Sequence, residues 1–292
     1  MTAAPAFKLS VFTDEISPDL EHALGVARNE LGLDYVELRA AWGKNIMAWD
    51  AKDVTEARGL LERHRLRVSS IAGPLFKVDW PGAPRSEHSP RDQFGADYVF
   101  EQQDEVLARG LELARVFRTP HLRCFDFWRL QDPAPHRAAI DARLRAAAQA
   151  AFRRGVTLVM ENEYACNTAT GVEAARTLKA VDVPGFQLNW DPGNSAFRGE
   201  TPYPDAYRLL PPGRIGHVHV KDVAKKPEGG FAWMEVGKGF IDFVGQFRAL
   251  KRDGYRGFVV LETHWRGEHT AEEATRRSMA GLKDALRAAG AT

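Results

Sequence analysis

The segment KLSVFTDEISPDLEHALGVARNEL (residues 8–31) contains the turn that decides between the two folds open to this chain. Its first residues, KLSVFTD (8–14), predict a strand, and the following residues predict a helix with Ser17 as N-cap and Pro18 in the first turn. The connection between them, FTDEISPD (12–19), has no glycine. An open, doubly wound sheet that binds a dinucleotide would have a glycine-rich turn at this point. The segment therefore favours a closed barrel.

The same order of strand and helix continues to the end of the chain. Further strands are predicted at 33–39, 67–73, 121–127, 156–163, 186–194, 215–222 and 257–264, and helical patterns follow most of them. Strict alternation implies parallel strands with helical crossovers, and eight such units close into a (β/α)8 TIM barrel. We predict one α/β domain over residues 1–292. The long loop 74–95, with four prolines, is the predicted lid.

Composition narrows the classes of function. The 292 residues include 40 basic and 39 acidic side chains, and the resulting net charge of +1 gives no attraction to nucleic acid or to a membrane surface. No apolar run approaches the roughly 20 residues of a membrane-spanning helix. The start, MTAAPAFKLSVF, has no pattern of a secretion signal, and two cysteines, Cys124 and Cys166, do not suggest a disulfide framework. We expect a cytoplasmic protein.

Polar side chains stand at the ends of otherwise apolar strands. In a TIM barrel the chemistry lies at the carboxyl ends of the strands, where such side chains converge. A single acidic strand end is usually a helix cap, but the last four strands end in carboxylates and an imidazole. Converging carboxylates repel each other unless a cation or protons lie between them, so a divalent ion in an oxygen and nitrogen shell is expected. The four side chains are Glu161, Asp191, His219 and Glu262.

The motifs ENE, DPGN, HVHVKD, VGKGFIDF and LETH, in this order, resemble the sugar phosphate isomerase/epimerase superfamily of xylose isomerase-like TIM barrels. The resemblance covers nearly the whole chain and implies one divalent ion (Mn²⁺, Mg²⁺, Co²⁺ or Zn²⁺) held by Glu161, Asp191, His219 and Glu262. In the epimerases of this superfamily the glutamates of strands five and eight are also the acid/base pair, which implies that role for Glu161 and Glu262.

Other polar and aromatic residues at the same end of the barrel are predicted to contact a sugar, and each has a simpler alternative. Glu37 and Arg39 could instead form an ion pair inside the barrel, Asn194 could serve the turn, and Lys221 could pair with Asp222. The predicted substrate-binding residues are Glu37, Arg39, Trp42, Asn194, Lys221 and His264.

Four more features are assigned weaker roles. His217 lies one layer deeper than His219 and is predicted to support it. Glu163 and Asn167 could touch substrate or hold a loop, and VGKG (236–239) is a weak candidate for a phosphate cradle.

The predicted function is a metal-dependent sugar isomerase or epimerase that works through an enediolate. A lyase of the inosose dehydratase type would use the same site, and a non-catalytic sugar-binding barrel is a further alternative. An endonuclease IV-like enzyme would need additional metal-binding histidines, but strand three ends in SSIAG and Asn194 stands three residues after Asp191. The expected partner is a small sugar, with no nucleic acid or membrane, and homo-oligomer formation stays open.

Overall fold

The computed structural model describes residues 5–87 and 92–292. One parallel sheet of eight strands runs around the barrel. From the second strand to the eighth, each strand is hydrogen-bonded to the next in sequence, and the eighth is paired with the first. A parallel bridge between Phe12 and Glu37 joins β1 to β2. The predicted TIM barrel is confirmed. The strands are β1 Lys8–Val11, β2 Tyr35–Leu38, β3 Arg67–Leu75, β4 His121–Cys124, β5 Thr157–Glu161, β6 Phe186–Trp190, β7 Ile215–Val220 and β8 Phe258–Leu261.

An α-helix follows each barrel strand. Helix α1 continues into a wider turn, Val26–Glu30, in which the Leu31 amide donates to the Val26 carbonyl. Helix α6 is short, and two further turns, Pro202–Ala206 and Tyr207–Leu209, connect it to β7. The helices are α1 Leu20–Gly25, α2 Ala51–His64, α3 Gln103–Val116, α4 Arg137–Phe152, α5 Gly171–Ala180, α6 Pro192–Phe197, α7 Phe243–Arg252 and α8 Ala271–Ala288.

The first helix begins later than the sequence pattern predicts. Asp19 is the N-cap, because its carboxylate accepts from the His22 amide at 3.0 Å, and Ser17 instead accepts from the Asp19 amide. The prediction of Ser17 as N-cap was therefore wrong. Most strands also end earlier than predicted, so that Asp191 and Glu262 lie one residue beyond β6 and β8.

The core lies between the barrel wall and the helices. All four residues of β8 are buried, as expected for a strand covered on both faces by the barrel interior and the helix layer. One continuous cluster of buried apolar side chains takes members from Phe7 to Ala291. In the described part of the chain no helix is both long and apolar enough to cross a membrane.

Two hairpins at the carboxyl end of the barrel were not predicted. The first pairs Ala40–Ala41 with Lys44–Asn45 after β2, and the second pairs Asp222–Lys225 with Phe231–Met234 after β7. The second hairpin places Trp233 against Phe197, with the rings stacked at 4.5 Å. The hairpins thus build the wall of the barrel mouth.

Candidate metal centre and active site

Four side chains from the last four barrel strands meet at the mouth. Glu161 ends β5, Asp191 follows β6, His219 lies in β7 and Glu262 follows β8. Each is at most 1% exposed. Each side chain offers one potential ligand atom, an oxygen or a nitrogen, and these four atoms all lie within 4.8 Å of one another. The structure therefore brings together the four side chains that the sequence pattern selects.

His219 is held in a defined orientation by Glu37. Its Nε2 atom lies 3.1 Å from one Glu37 oxygen, while its Nδ1 atom faces Glu161 Oε1 at 3.6 Å and Glu262 Oε2 at 3.7 Å. With the proton on Nε2, His219 would donate to Glu37 and leave the Nδ1 lone pair facing the carboxylates. In the structure as it stands, burial lowers the pKa of His219, but Glu161 and Glu37 outweigh it and raise that pKa to about 10.

Glu37 does not lie at the rim, where a residue that contacts substrate was expected. It is fully buried, and its second oxygen is 2.7 Å from His217 Nε2. Ser69 also donates to it. Both of its oxygens are engaged by histidines inside the barrel, which supports a role for Glu37 in holding His219, and its contact with substrate stays a prediction. His217 holds Glu37 from below, in line with the supporting role expected for it.

Two buried arginines each hold one of the glutamates. Arg39 Nη1 donates to Glu262 Oε1 at 2.7 Å, and Arg123 Nη1 donates to Glu161 Oε2 at 3.0 Å. Burial alone would raise the pKa of Glu161, but His219, Lys221 and Arg123 hold it well below its usual range. Each glutamate therefore stays ionised and turns its other oxygen inward.

Arg39 was expected to contact substrate and is instead 5% exposed in its side chain, with further ion pairs to Asp14 at 2.7 Å and Glu15 at 2.8 Å. It does not pair with Glu37, which was the alternative considered from the sequence. Arg123 was missed, although a charged residue between Leu122 and Cys124 in a short apolar strand was a usable signal.

Lys221 lies among the carboxylates. Its Nζ atom is 2.6 Å from Glu262 Oε2, 3.0 Å from Asp191 Oδ2 and 3.6 Å from Glu161 Oε1. Burial lowers the pKa of Lys221, but these three carboxylates outweigh it and raise the pKa well above its usual range. The side chain passes close to Gly193, where a Cβ atom would come within 2.5 Å of Lys221 Cγ. The glycine of DPGN thus makes room for this lysine.

The donor set suits a hard divalent ion. Three carboxylates and one imidazole supply oxygen and nitrogen ligands of the type that Mg²⁺, Mn²⁺ and Zn²⁺ accept. Asp191 Oδ2 accepts no hydrogen bond of good geometry from any residue that the structure describes, even though the Lys221 ammonium is 3.0 Å away. Burial raises the pKa of Asp191 to about 6, which an ion at this position would reverse. These residues fit a metal site.

The remaining predicted substrate contacts are Asn194 and His264, which lie at the site, and Trp42, which packs in the first hairpin. Asn194 lies at the site, because its Nδ2 donates to Glu161 Oε1 at 3.1 Å while its Oδ1 accepts no hydrogen bond from the described residues. His264 lies at the mouth, with its ring edge-on to Trp233 at 5.0 Å. Trp42 is half-buried in the first hairpin and packs against Trp49 at 5.2 Å, and no described contact joins it to the four converging side chains.

The predicted lid reaches over the site with Phe94. Its ring lies 4.2 Å from the Arg39 guanidinium, 4.3 Å from the Lys77 ammonium and 5.3 Å from the Arg123 guanidinium. Asn45 of the first hairpin donates to the Phe94 carbonyl at 3.1 Å. Residues 88–91 of the predicted lid lie outside the described part of the chain.

A cavity of about 30 Å³ opens at the mouth, lined by residues that include Lys77, Phe94, Glu163 and His264. A larger cavity of about 750 Å³ lies at the amino ends of the strands, beside Lys8 and Phe258. Since TIM-barrel active sites occur at the carboxyl ends, we assign the site to the mouth despite its smaller volume.

The weak phosphate-cradle prediction for VGKG is not supported. The amides of Gly237 and Gly239 donate to Asp222 Oδ2 at 2.8 and 3.0 Å, so they are already used inside the protein. Asn167 holds the loop after β4, because its side chain accepts from the Leu130 amide and donates to the Asp126 carbonyl. Of the two alternatives considered for Asn167, contact with substrate or support of a loop, these contacts favour the second.

Comparison with known proteins agrees with this geometry. The family model described as xylose isomerase-like TIM barrel matches residues 27–285. The chain belongs to this family. Among curated relatives, an inosose dehydratase of Geobacillus thermodenitrificans (strain NG80-2) is 27% identical over 216 residues, which are 68% of this chain and 70% of the relative. A protein of Escherichia coli (strain K12), provisionally assigned as an L-ribulose-5-phosphate 3-epimerase, is 26% identical over 259 residues, 82% of this chain and 88% of its own.

Solved structures share the fold of this family member at lower identity. A D-allulose 3-epimerase from Methylomonas sp., in complex with D-allulose, has a TM-score of 0.70 and 19% identity, covering 98% of this chain and 99% of that one. A xylose isomerase-like TIM barrel protein from Mycobacterium smegmatis, in complex with magnesium, has a TM-score of 0.67 and 21% identity. The match covers 97% of this chain and 100% of that one. The two curated relatives are named as a dehydratase and, provisionally, an epimerase, which supports an enzymatic role for this chain.

Proposed function

We propose that this protein is a divalent-metal-dependent isomerase or epimerase that moves a proton at a carbon next to the carbonyl of a small sugar or polyol-derived ketone. The observation that carries the proposal is the convergence of Glu161, Asp191, His219 and Glu262 within 4.8 Å, from four consecutive strands. The names of the relatives, which include two 3-epimerases, support it. A cytoplasmic location stays a prediction.

Glu161, Asp191, His219 and Glu262 would hold the ion. When bound, a divalent ion supplies Lewis acidity that polarises a substrate carbonyl and stabilises the negative charge that develops when the neighbouring C–H proton leaves. We leave open which ion serves, among Mn²⁺, Mg²⁺, Co²⁺ and Zn²⁺. The magnesium in the Mycobacterium smegmatis structure supports a divalent ion of this class.

Glu161 and Glu262 are the proposed acid/base pair. Each is ionised and held by an arginine through one oxygen, so the other oxygen can accept a proton without the side chain rotating away. One glutamate takes the proton, and the other, after it has received a proton from the adjacent Lys221 ammonium, returns one to the opposite face or to the next carbon. The proton on the first glutamate then restores the ammonium, so no net proton is gained or lost. Phe94 and Trp233 cover the mouth and exclude water from the exchanging proton. Asn194 and His264 are the proposed contacts to substrate oxygens.

A dehydratase is the second candidate, and Lys221 is the observation that favours it. An elimination removes a C–H proton and breaks a C–O bond, so the departing hydroxide must take up a proton to leave as water. The ammonium of Lys221 lies 2.6 Å from Glu262 and 3.6 Å from Glu161, close to either base. The similarity to the inosose dehydratase supports this alternative.

The deciding experiment follows products by NMR in D₂O. The Mn²⁺-loaded protein is offered D-allulose, an inosose and L-ribulose 5-phosphate in separate reactions. An epimerase or isomerase places solvent deuterium at the inverted or isomerised carbon, whereas a dehydratase forms a product that has lost one water. Turnover without deuterium would indicate a shielded proton return or a hydride shift. If no compound turned over or exchanged, the proposal would lose its support.

A further inference from the structure

Lys77 is a buried cation that the metal site does not use. Its side chain is 3% exposed, and its nearest described anion is Glu163, with Nζ and Oε2 separated by 3.9 Å. Ring faces of Phe94, Phe125 and Trp128 surround the ammonium at 4.3, 4.7 and 5.4 Å. Within residues 5–87 and 92–292 the Glu163 oxygen is its closest carboxylate, and the lysine lines the small cavity at the mouth. An acceptor that enters this cavity would give the ammonium the short hydrogen bond that Glu163 at 3.9 Å does not.

The gap between Lys77 and Glu163 faces the active site. Both residues line the small cavity at the mouth, together with His264. Arg123, which holds Glu161, packs on the same Phe125 ring as Lys77, with its guanidinium 4.9 Å from the ring centre. The pair thus lies beside the proposed acid/base residues but outside the four candidate ligands.

Building on the proposed function, we propose that Lys77 and Glu163 together recognise one hydroxyl group of the substrate, at the end remote from the metal. A hydroxyl oxygen placed between Nζ and Oε2 can lie about 2.8 Å from both atoms. It would then accept a hydrogen bond from the ammonium and donate its own hydrogen to the carboxylate. A hydroxyl matches this pair because it is a donor and an acceptor at once.

Charge excludes an anionic group at this position. Among the described residues that line the cavity, Lys77 faces the carboxylates of Glu163 and Asp92, so these residues provide no excess of positive charge for a phosphate or a carboxylate. Phe94 and Trp128 also line this cavity and add apolar surface for the C–H groups of a sugar. The structure therefore assigns the remote end of the substrate to an uncharged polyhydroxy compound.

The test measures binding selectivity with Mn²⁺-loaded protein. Calorimetry gives the Kd of D-allulose, its 4-, 5- and 6-deoxy analogues, and L-ribulose 5-phosphate, for wild type, Lys77→Met and Glu163→Gln. Wild type should bind one deoxy analogue at least 10-fold more weakly than D-allulose, since the pair would be left without its partner. Both variants should lose that discrimination while they still discriminate at the other positions. Lys226→Met, an exposed lysine of the second hairpin, is the control.

Equal selectivity in wild type and both variants would overturn the inference, and so would tighter binding of L-ribulose 5-phosphate than of D-allulose. A general loss of structure would lower affinity for every compound and would also lower the Tm, so the position-specific readout separates it from recognition. Absence of binding by all of these compounds would count against the pair as well. Because the readout is binding, failed turnover would refute the proposed function without deciding this inference.

Discussion

Replacing Lys221 with methionine removes a cation from between three buried carboxylates while keeping an unbranched side chain of similar length. The Nζ atom lies 2.6 Å from Glu262, 3.0 Å from Asp191 and 3.6 Å from Glu161. Because these carboxylates raise the pKa of the lysine against the effect of burial, Lys221 is charged at neutral pH. The metal-free variant therefore keeps the negative charges and loses the ammonium closest to them.

Removing one partner of a buried ion pair costs about 3–5 kcal/mol. We take the lower end, about 3 kcal/mol, because Arg39 and Arg123 still neutralise one oxygen of each glutamate. For a domain of this size, about 1 kcal/mol shifts Tm by roughly 2–4 °C. The Lys221→Met protein should thus melt about 6–12 °C below wild type in EDTA.

Metal binding should change in the opposite direction. An ion held by Asp191 and Glu262 needs the oxygens that face the ammonium, so in wild type the two cations compete. Without Lys221 the affinity for Mn²⁺ should rise about 10- to 100-fold, which corresponds to roughly 1.4–2.7 kcal/mol. In saturating Mn²⁺ the Tm of the Lys221→Met protein should therefore return most of the way to that of wild type.

Thermal melts in EDTA and in Mn²⁺, together with calorimetric titration of Mn²⁺, test this reasoning. Lys226→Met is the matched control, because this lysine is exposed and lies in the turn of the hairpin that directly follows Lys221. An unchanged metal-free Tm together with unchanged Mn²⁺ affinity would refute the idea that the ammonium balances the carboxylates. A weaker affinity would show that Lys221 supports the ion instead of competing with it.

Four further predictions concern catalysis, stability and specificity. Glu161→Gln and Glu262→Gln should each lower kcat by roughly 10²–10⁴ in the NMR assay, since each loses a base but keeps its shape, and Mn²⁺ should still bind to at least one variant. Burial raises the pKa of Asp126 to about 6 from an unfolded value of 3.8, so the folded state binds the extra proton between these values. The stability that this proton contributes is fully present below pH 4 and is lost as the pH rises through 6. Asparagine does not titrate, so in urea titrations the free energy of unfolding of Asp126→Asn, relative to that of wild type, should rise by roughly 2–3 kcal/mol between pH 4 and pH 7. Limited proteolysis should release no stable half-length fragment, because one barrel needs all eight strands, and such a fragment on a gel would contradict the single domain. The pure protein should not nick abasic-site DNA in a gel assay with added metal, whereas strong metal-dependent nicking would restore the nuclease alternative.

Much of the candidate site followed from strand ends alone. Glu161, Asp191, His219 and Glu262 could be selected because the carboxyl ends of parallel strands meet at one rim, whatever the details of packing. Lys77 and Arg123 were not selected, because a charged residue near a strand also fits a surface position, and only the apolar neighbours Leu122 and Cys124 indicated that Arg123 is buried. Glu37 is fully buried and lies deeper than the rim position predicted for it, because the sequence does not show how deep in the barrel a strand residue lies.

The sequence by itself determined the alternation of strands and helices, the closed barrel and the four converging side chains. These features depend on the periodicity of apolar residues and on the order of the elements, and both can be recognised in short stretches of the sequence. Only the tertiary structure decided that Arg39 holds Glu262, a residue 223 positions away, and that Lys221 lies among the carboxylates. Such pairings depend on side-chain orientation and on distances of a few ångströms between remote segments, which only the packing of the closed barrel determines.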